Sequence, residues 1–228
     1  MSQQIETYEE ACQAIAQWGI VPLSSFIPGH PSLESITQPE AWHTGMQSDP
    51  WLWRDRFPAE GVAAYGRFIA GKPLFIAGEL FPLVKCLLSP NEALEERYAA
   101  GLVARSTMRL YELVNEQDGI DVRELRKLAG MQDKAEKNAF DHALIDLQES
   151  ADLLISGISE RLNAHGNKSG WNSTCYMLAD HWIAEHDLVP VALSRAEAKT
   201  QLFARLEQNW SADALQYLRG KIKAQGSK

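Results

Sequence analysis

Apolar side chains recur at helical spacing near the start of the chain. From Thr7 to Gly19 the apolar residues Ile15 and Trp18 lie on one side of the helix that this period predicts. Thr7 precedes Glu10 by three residues, which is typical of a capping box at a helix start. Gly19 then favours a helix end. The pattern therefore predicts a first helix over residues 7–19.

Residues 20–97 show a weaker pattern. Five prolines interrupt residues 20–50, and no long periodic run survives them. This stretch also holds several large apolar residues, so we expect an ordered loop packed on the rest of the protein. Short helices are predicted within residues 49–54, 58–70 and 78–88, with a turn at Gly71-Lys72-Pro73. A helix restarts in residues 92–104.

The second half has a clearer order of elements. Residues 100–116, 122–129 and 134–150 each have helical periodicity. From Leu153 the apolar positions alternate as in a strand, residues 163–170 have turn chemistry, and residues 171–178 are typical of a returning strand. Helix, short helix, helix and hairpin follow one another in a winged helix, in which the third helix enters the DNA major groove. In the third helix Phe140, Ala143, Leu144 and Leu147 lie on one face, and Asp121 is the predicted cap of the short helix. Residues 193–209 and 211–223 are predicted as two closing helices, and Ser194 with Glu197 three residues later is typical of a capping box.

These elements predict a predominantly α fold, α+β by count. It has a helical N-terminal region, a winged helix (a helix-turn-helix with a β-hairpin wing) and C-terminal helices. We place an N-terminal region at residues 1–97 and a winged-helix domain at residues 98–193. The C-terminal helices, residues 194–228, are expected to pack on that domain.

Charge and composition narrow the class of protein. The chain has a net charge of −8, with 45% hydrophobic and 23% charged residues. That composition is typical of a globular protein, and the net charge disfavours a strongly basic DNA-binding protein. Only residues 194–228 are basic, with seven basic and three acidic side chains. The polar N-terminus and the short apolar runs predict no membrane segment, so a cytoplasmic protein is expected.

The cysteine and histidine residues do not follow metal-binding patterns. The three cysteines, Cys12, Cys86 and Cys175, are far apart, which fits neither a disulfide framework nor a zinc spacing. His181 and His186 flank Glu185 at a spacing that differs from zinc-protease motifs. We predict no metal and no cofactor.

Several motifs together resemble a bacterial family known as AlkZ-related. The motifs include Asp49-Pro50-Trp51-Leu52-Trp53-Arg54, Ala64-Tyr65-Gly66-Arg67-Phe68 and Glu124-Leu125-Arg126-Lys127-Leu128-Ala129-Gly130. The resemblance covers residues 8–185 and implies a winged-helix protein distantly similar to the AlkZ-like DNA glycosylases. Those enzymes position a water with a Gln-x-Gln or Gln-x-Asp pair. Gln148-Glu149-Ser150 is the nearest sequence here, so the resemblance leaves enzymatic activity open.

Candidate nucleic-acid contacts lie on the predicted third helix and wing. Basic and polar side chains there suit phosphates and base edges. They are Lys134, Lys137, Asn138, His142, Arg161 and Lys168. Acidic residues lie among them, so packing or protein contact is the alternative role for this helix.

Aromatic residues are dense between residues 42 and 68. Trp42, Trp51, Trp53 and Tyr65 could stack on bases, or they could form a core. Candidate acid–base groups nearby are Asp55, Glu60 and Glu79. Glu79 lies in the apolar run Leu74–Val84, and a carboxyl group buried there would be a weak candidate for catalysis, as would Gln148. The alternative for Glu79 is a carboxylate at a helix start or one paired with an arginine.

Three functions remain open from the sequence. The first is a DNA-associated winged-helix protein. The second is a winged helix that contacts a protein partner or forms a homodimer and does not bind DNA. The third is an enzyme similar to a DNA glycosylase.

Overall fold

The computed structural model describes residues 4–160 and 172–225 of the 228-residue chain. The helices are α1 Tyr8–Trp18, α2 Leu33–Ile36, α3 Pro50–Ala59, α4 Phe81–Leu88, α5 Leu94–Ala99, α6 Arg105–Glu116, α7 Val122–Leu128, α8 Lys137–Glu149, α9 Ala179–Glu185, α10 Arg195–Leu206 and α11 Ala212–Gln225. The strands are β1 Ile20–Pro22, β2 Ala63–Ile69, β3 Lys72–Ala77, β4 Ile120–Asp121, β5 Leu153–Ser159 and β6 Ser173–Leu178. The protein is therefore mixed α+β.

The first helix is built as its sequence predicts. The Thr7 hydroxyl accepts a hydrogen bond from the Glu10 backbone N–H at 3.2 Å, and the Glu10 carboxylate accepts one from the Thr7 N–H at 3.2 Å. Gly19 ends α1 with a φ of 72°, a conformation that glycine adopts without a Cβ clash. Local chemistry is sufficient to define this helix.

The strands form one antiparallel sheet in the order β1-β3-β2-β5-β6-β4. The sheet joins the two halves of the chain because β2 pairs with β5, where Tyr65 lies opposite Ile155. It is larger than the small β wing that the sequence predicts. The division into residues 1–97, 98–193 and 194–228 stays a prediction.

The predicted helix over residues 58–70 is wrong, because residues 63–69 form strand β2. Six of the seven residues of β2 are buried, and Arg67 is its exposed member. A strand buried on both faces lacks the alternation of apolar and polar residues that identifies a half-buried strand. Pro58 lies within the last turn of α3 and does not begin a new helix.

Buried side chains form two clusters, and strand β5 contributes to both, with Leu154 in the first and Leu153 in the second. The first core contains residues of α1, α3, α4, β1–β3 and α9–α11, among them Phe57, Phe75 and Trp182. The second core contains residues of α5–α8 and β4–β6, among them Leu110 and Phe140. Half-buried Ile155 packs against both cores.

The C-terminal helices contribute to the first core. Trp210, between α10 and α11, donates a hydrogen bond from its indole N–H to the Trp18 carbonyl at 2.8 Å. Its ring lies 3.9 Å from that of His30, centroid to centroid. Among the described residues, no helix is long and apolar enough to cross a membrane.

Candidate nucleic-acid interface

Helix α8 has one buried face and one exposed face. Phe140, Ala143, Leu144 and Leu147 recur at helical spacing and are buried in the second core. The side chains of Lys137, Asn138 and His142 point away from that core and are exposed, as is Lys134 in the 3-10 turn before the helix. The structure thus brings four of the predicted nucleic-acid contacts together at the N-terminal half of α8. The predicted contacts Arg161 and Lys168 lie outside the described residues.

The hairpin between β2 and β3 lies against the C-terminal half of α8. A Cβ placed on Gly71, in the hairpin turn, would lie 3.9 Å from side-chain atoms of both Ile145 and Glu149. Arg67 braces this hairpin, since its guanidinium donates a hydrogen bond to the Gly71 carbonyl at 2.9 Å. A ligand as large as duplex DNA can therefore approach the N-terminal half of the exposed face more readily than the C-terminal half.

Gln148 lies on the side of α8 that faces β2. The side chain is 2% exposed. Its amide nitrogen donates to the Leu144 carbonyl at 2.8 Å, and its amide oxygen accepts from the Arg67 backbone N–H at 3.0 Å. The two hydrogen bonds fix the amide between a helix and a strand. This position serves the packing of α8 on the sheet.

Glu79 is exposed rather than buried, and it forms the arginine pair that the sequence gives as its alternative role. The Glu79 side chain is 67% exposed and pairs with Arg205, with 3.2 Å between Oε1 and Nη2. The apolar run Leu74–Val84 is divided between strand β3 and helix α4, and Glu79 lies in the 3-10 turn between them. A turn at the end of a strand places a charged side chain in solvent even when its sequence neighbours are apolar.

The aromatic residues divide into an interior pair and a half-buried pair. Trp53 and Tyr65 belong to the first core, where they are 0% and 6% exposed. Trp42 and Trp51 are half-buried, with ring centroids 6.5 Å apart. The Arg54 guanidinium lies 3.6 Å above the Trp51 ring, which is a cation–π contact. Of the four, only Trp42 and Trp51 have ring surface that a ligand could reach.

A buried acidic group, Asp55, is paired with the arginine that lies over Trp51. Asp55 is 8% exposed and pairs with Arg54, with 2.8 Å between Oδ1 and Nη2. Burial raises the pKa of the Asp55 carboxyl group, and the charge of Arg54 opposes that rise. Burial also raises the pKa of the nearby Tyr65 hydroxyl group. The sequence makes Asp55 an acid–base candidate because it lies near the aromatic residues. No feature of the sequence pattern indicates that Asp55 pairs with Arg54.

Side chains that could bind a metal ion are not clustered in the part of the chain that the structure describes. Residues 4–160 and 172–225 contain no group of three or more histidine, cysteine, aspartate or glutamate side chains that could hold an ion. Cys12, Cys86 and Cys175 are free thiols. His181 instead forms a hydrogen bond with the Asp118 carboxylate at 2.9 Å.

A family model described as "AlkZ related" matches residues 5–223, nearly the whole chain. No curated protein and no solved structure matches this chain.

Proposed function

This chain belongs to the AlkZ-related family, and we propose that it is a DNA-associated winged-helix protein that contacts duplex DNA through the N-terminal half of α8. The order α6, β4, α7, α8, β5, β6 supports a winged helix. So does the pairing of β4 with β6, which makes β4, β6 and β5 a three-stranded unit beside the helices. In this arrangement α8 is the recognition helix, and β5 and β6 are the strands of the wing.

The exposure of polar side chains at the start of α8 is the observation that carries this proposal. Recognition helices contact base edges with their N-terminal residues. The Asn138 amide can pair with the N6 and N7 atoms of adenine, and Lys134 and Lys137 can contact phosphates. All three side chains point away from the second core. The half of α8 that the β2–β3 hairpin leaves open is therefore the half that carries the polar groups.

The local charge makes this a weak binder. Asp133, Glu136 and Asp141 are exposed among the lysines of this surface, and the whole chain carries a charge of −8. Phosphate contacts supply most of the non-specific affinity for DNA, so few net contacts predict a modest affinity.

Binding to fluorescent duplex, single-stranded and abasic DNA across a salt series tests the proposal. We expect the logarithm of the duplex association constant to fall linearly with the logarithm of salt concentration. The double variant Lys134→Ala/Lys137→Ala should lower the affinity and reduce the slope by about 2, because each phosphate contact contributes about 0.9.

A matched control removes two positive charges elsewhere. Lys199 on α10 and Lys221 on α11 belong to helices that pack in the first core, away from α8. Lys199→Ala/Lys221→Ala should leave the slope unchanged. If no DNA binds at the lowest salt concentration, or if both double variants have equal effects, the proposal is wrong. Release of bases from damaged duplexes, assayed on the same samples, separates DNA association from glycosylase activity.

The alternative of protein contact through α8 has less support. The large apolar side chains that are most exposed among the described residues are Met46, Tyr98, Leu102, Leu128 and Val189. None of them lies on α8, so the exposed face of this helix lacks the apolar patch that a protein-docking helix presents.

A further inference from the structure

A pocket of about 320 Å³ lies where the loop after α4, the N-terminus of α6 and the C-terminus of α8 meet. Apolar side chains from both cores line it, with Leu88 from the first core and Leu94 and Leu147 from the second. Leu102, 74% exposed, lies at its edge. The volume is at the lower end of the range for small-molecule sites, so it suits a small ligand.

Two buried polar atoms in the lining of this pocket have no hydrogen-bond partner. Thr107 is 3% exposed, and its hydroxyl oxygen is buried without a partner. The Arg97 Nε is also buried and unpaired, although its Nη2 donates to the Asp152 carboxylate at 2.9 Å. Buried donors without acceptors are costly and uncommon in folded proteins. A ligand that supplies an acceptor here would remove that cost.

The N-terminus of α6 adds further donors. Ala104 stands at the cap position of this 12-residue helix, lines the pocket, and provides no side-chain acceptor. The N–H groups of the first turn therefore lack a side-chain cap, and the helix dipole makes this end partly positive. Thr107 lies in the same turn. We call Thr107 and the first turn of α6 the floor of the pocket. This floor consequently favours a group with negatively charged acceptor oxygens, such as a carboxylate.

The pocket lining also carries acidic side chains, which favour a positively charged group on the ligand. Glu92, Asp146 and Glu149 all contribute to it. Three carboxylates repel a simple anion and attract a cation. The floor and the acidic groups together require a ligand with a negative end, a positive end and an apolar part.

From these features we infer that the pocket binds a zwitterionic small molecule of the α-amino acid class. The ligand carboxylate meets the Thr107 hydroxyl group and the N-terminus of α6, and the ammonium group meets the acidic side chains. The apolar side chain lies on Leu88, Leu94 and Leu102. This inference does not depend on DNA binding, because the four predicted DNA contacts at the start of α8 are not part of the pocket lining.

Thermal-shift screening of the full chain with the common L-amino acids, followed by calorimetric titration, tests the inference. We expect at least one apolar amino acid to raise the melting temperature, since a ligand that binds only the folded state stabilises it. The same carbon skeleton without the carboxylate, or without the amino group, should bind at least about tenfold more weakly, because each loses one charged partner. For leucine these analogues are 3-methylbutylamine and 4-methylpentanoate.

Thr107→Val separates a binding role from a structural role. The substitution replaces an unpartnered hydroxyl with a methyl group of similar size, so the ligand-free protein should melt at the same or a higher temperature. Amino-acid binding should weaken by about tenfold. The control is Thr200→Val on α10, whose hydroxyl donates to the Ala196 carbonyl at 2.9 Å away from the pocket. It should leave binding unchanged.

Three results would overturn the inference. They are the absence of binding by every amino acid in the panel, equal binding of the intact ligand and either analogue, and unchanged binding by Thr107→Val.

Discussion

The side-chain amide oxygen of Gln148 accepts a hydrogen bond from the backbone N–H of Arg67 at 3.0 Å, across 81 residues of sequence. Strand β2 pairs with β5 at Tyr65, but the two strands do not pair at Arg67. The Gln148 amide takes the place of a strand acceptor at that position and so holds α8 against the sheet. This contact links the proposed recognition helix to the strand that leads into the β2–β3 hairpin.

Replacing Gln148 by alanine should lower the free energy of unfolding by about 1–3 kcal/mol. The change leaves the half-buried Arg67 N–H without its acceptor, and an unsatisfied donor costs its desolvation energy. Urea denaturation measures the effect, with Gln201→Ala on the exposed face of α10 as the control. Unchanged stability together with loss of a lesion-processing activity would show that Gln148 is catalytic rather than structural.

The Arg54–Asp55 pair predicts a pH-dependent contribution to stability. Burial raises the pKa of folded Asp55 above its ordinary value of 3.8. A carboxyl group with a raised pKa stabilises the fold most below its unfolded pKa, and this contribution is lost as the pH rises through its folded pKa. The stability of the wild type relative to Asp55→Asn should therefore fall as the pH increases above 3.8.

Denaturation of the wild type and of Asp55→Asn at a series of pH values above 3.8 measures this difference in stability. Asp213→Asn, which changes an exposed carboxylate on α11, is the matched control. Parallel stability curves for the wild type and Asp55→Asn would contradict a raised pKa of Asp55.

The two tryptophans of α3 should respond differently to truncation. Trp53 is fully buried and donates its indole N–H to the Gln47 carbonyl at 2.7 Å, so Trp53→Ala should cost about 3–5 kcal/mol. Trp51 is half-buried beneath Arg54, and Trp51→Ala should cost distinctly less. Chemical denaturation measures the free energy of unfolding of both variants. A larger loss of stability for Trp51→Ala than for Trp53→Ala would contradict this prediction.

The turn of the β2–β3 hairpin can be improved. Ala70 and Gly71 form a two-residue turn between Ile69 and Lys72, with φ values of 55° and 61°. A type I′ turn favours Asn-Gly, because asparagine tolerates positive φ better than alanine does. Ala70→Asn should therefore stabilise the protein by about 0.5–1 kcal/mol. Ala139→Asn, on the exposed surface of α8, provides the opposite control, since asparagine is a poorer helix former than alanine. A loss of stability for Ala70→Asn would contradict the turn assignment.

Local features of the sequence were sufficient to predict several helix boundaries. The capping boxes of Thr7 with Glu10 and of Ser194 with Glu197 both occur in the structure, and Asp121 caps α7. The alternation that begins at Leu153 also predicted β5. Each of these signals depends on side chains within a few residues of one another, so the surrounding fold was not needed to identify them.

The amino-acid pattern by itself thus determined the helix caps, the buried face of α8 and the order of α6, α7, α8, β5 and β6, but not strand β4. Tertiary structure decided the pairing of β2 with β5, the exposure of Glu79, the bonding of Gln148 to Arg67 and the meeting of Thr107 with Arg97 at one pocket. The physical reason is sequence distance. A cap or a periodic face is formed by neighbours in the chain, whereas a buried strand, a cross-sheet hydrogen bond or a pocket between two cores depends on segments that only folding brings together.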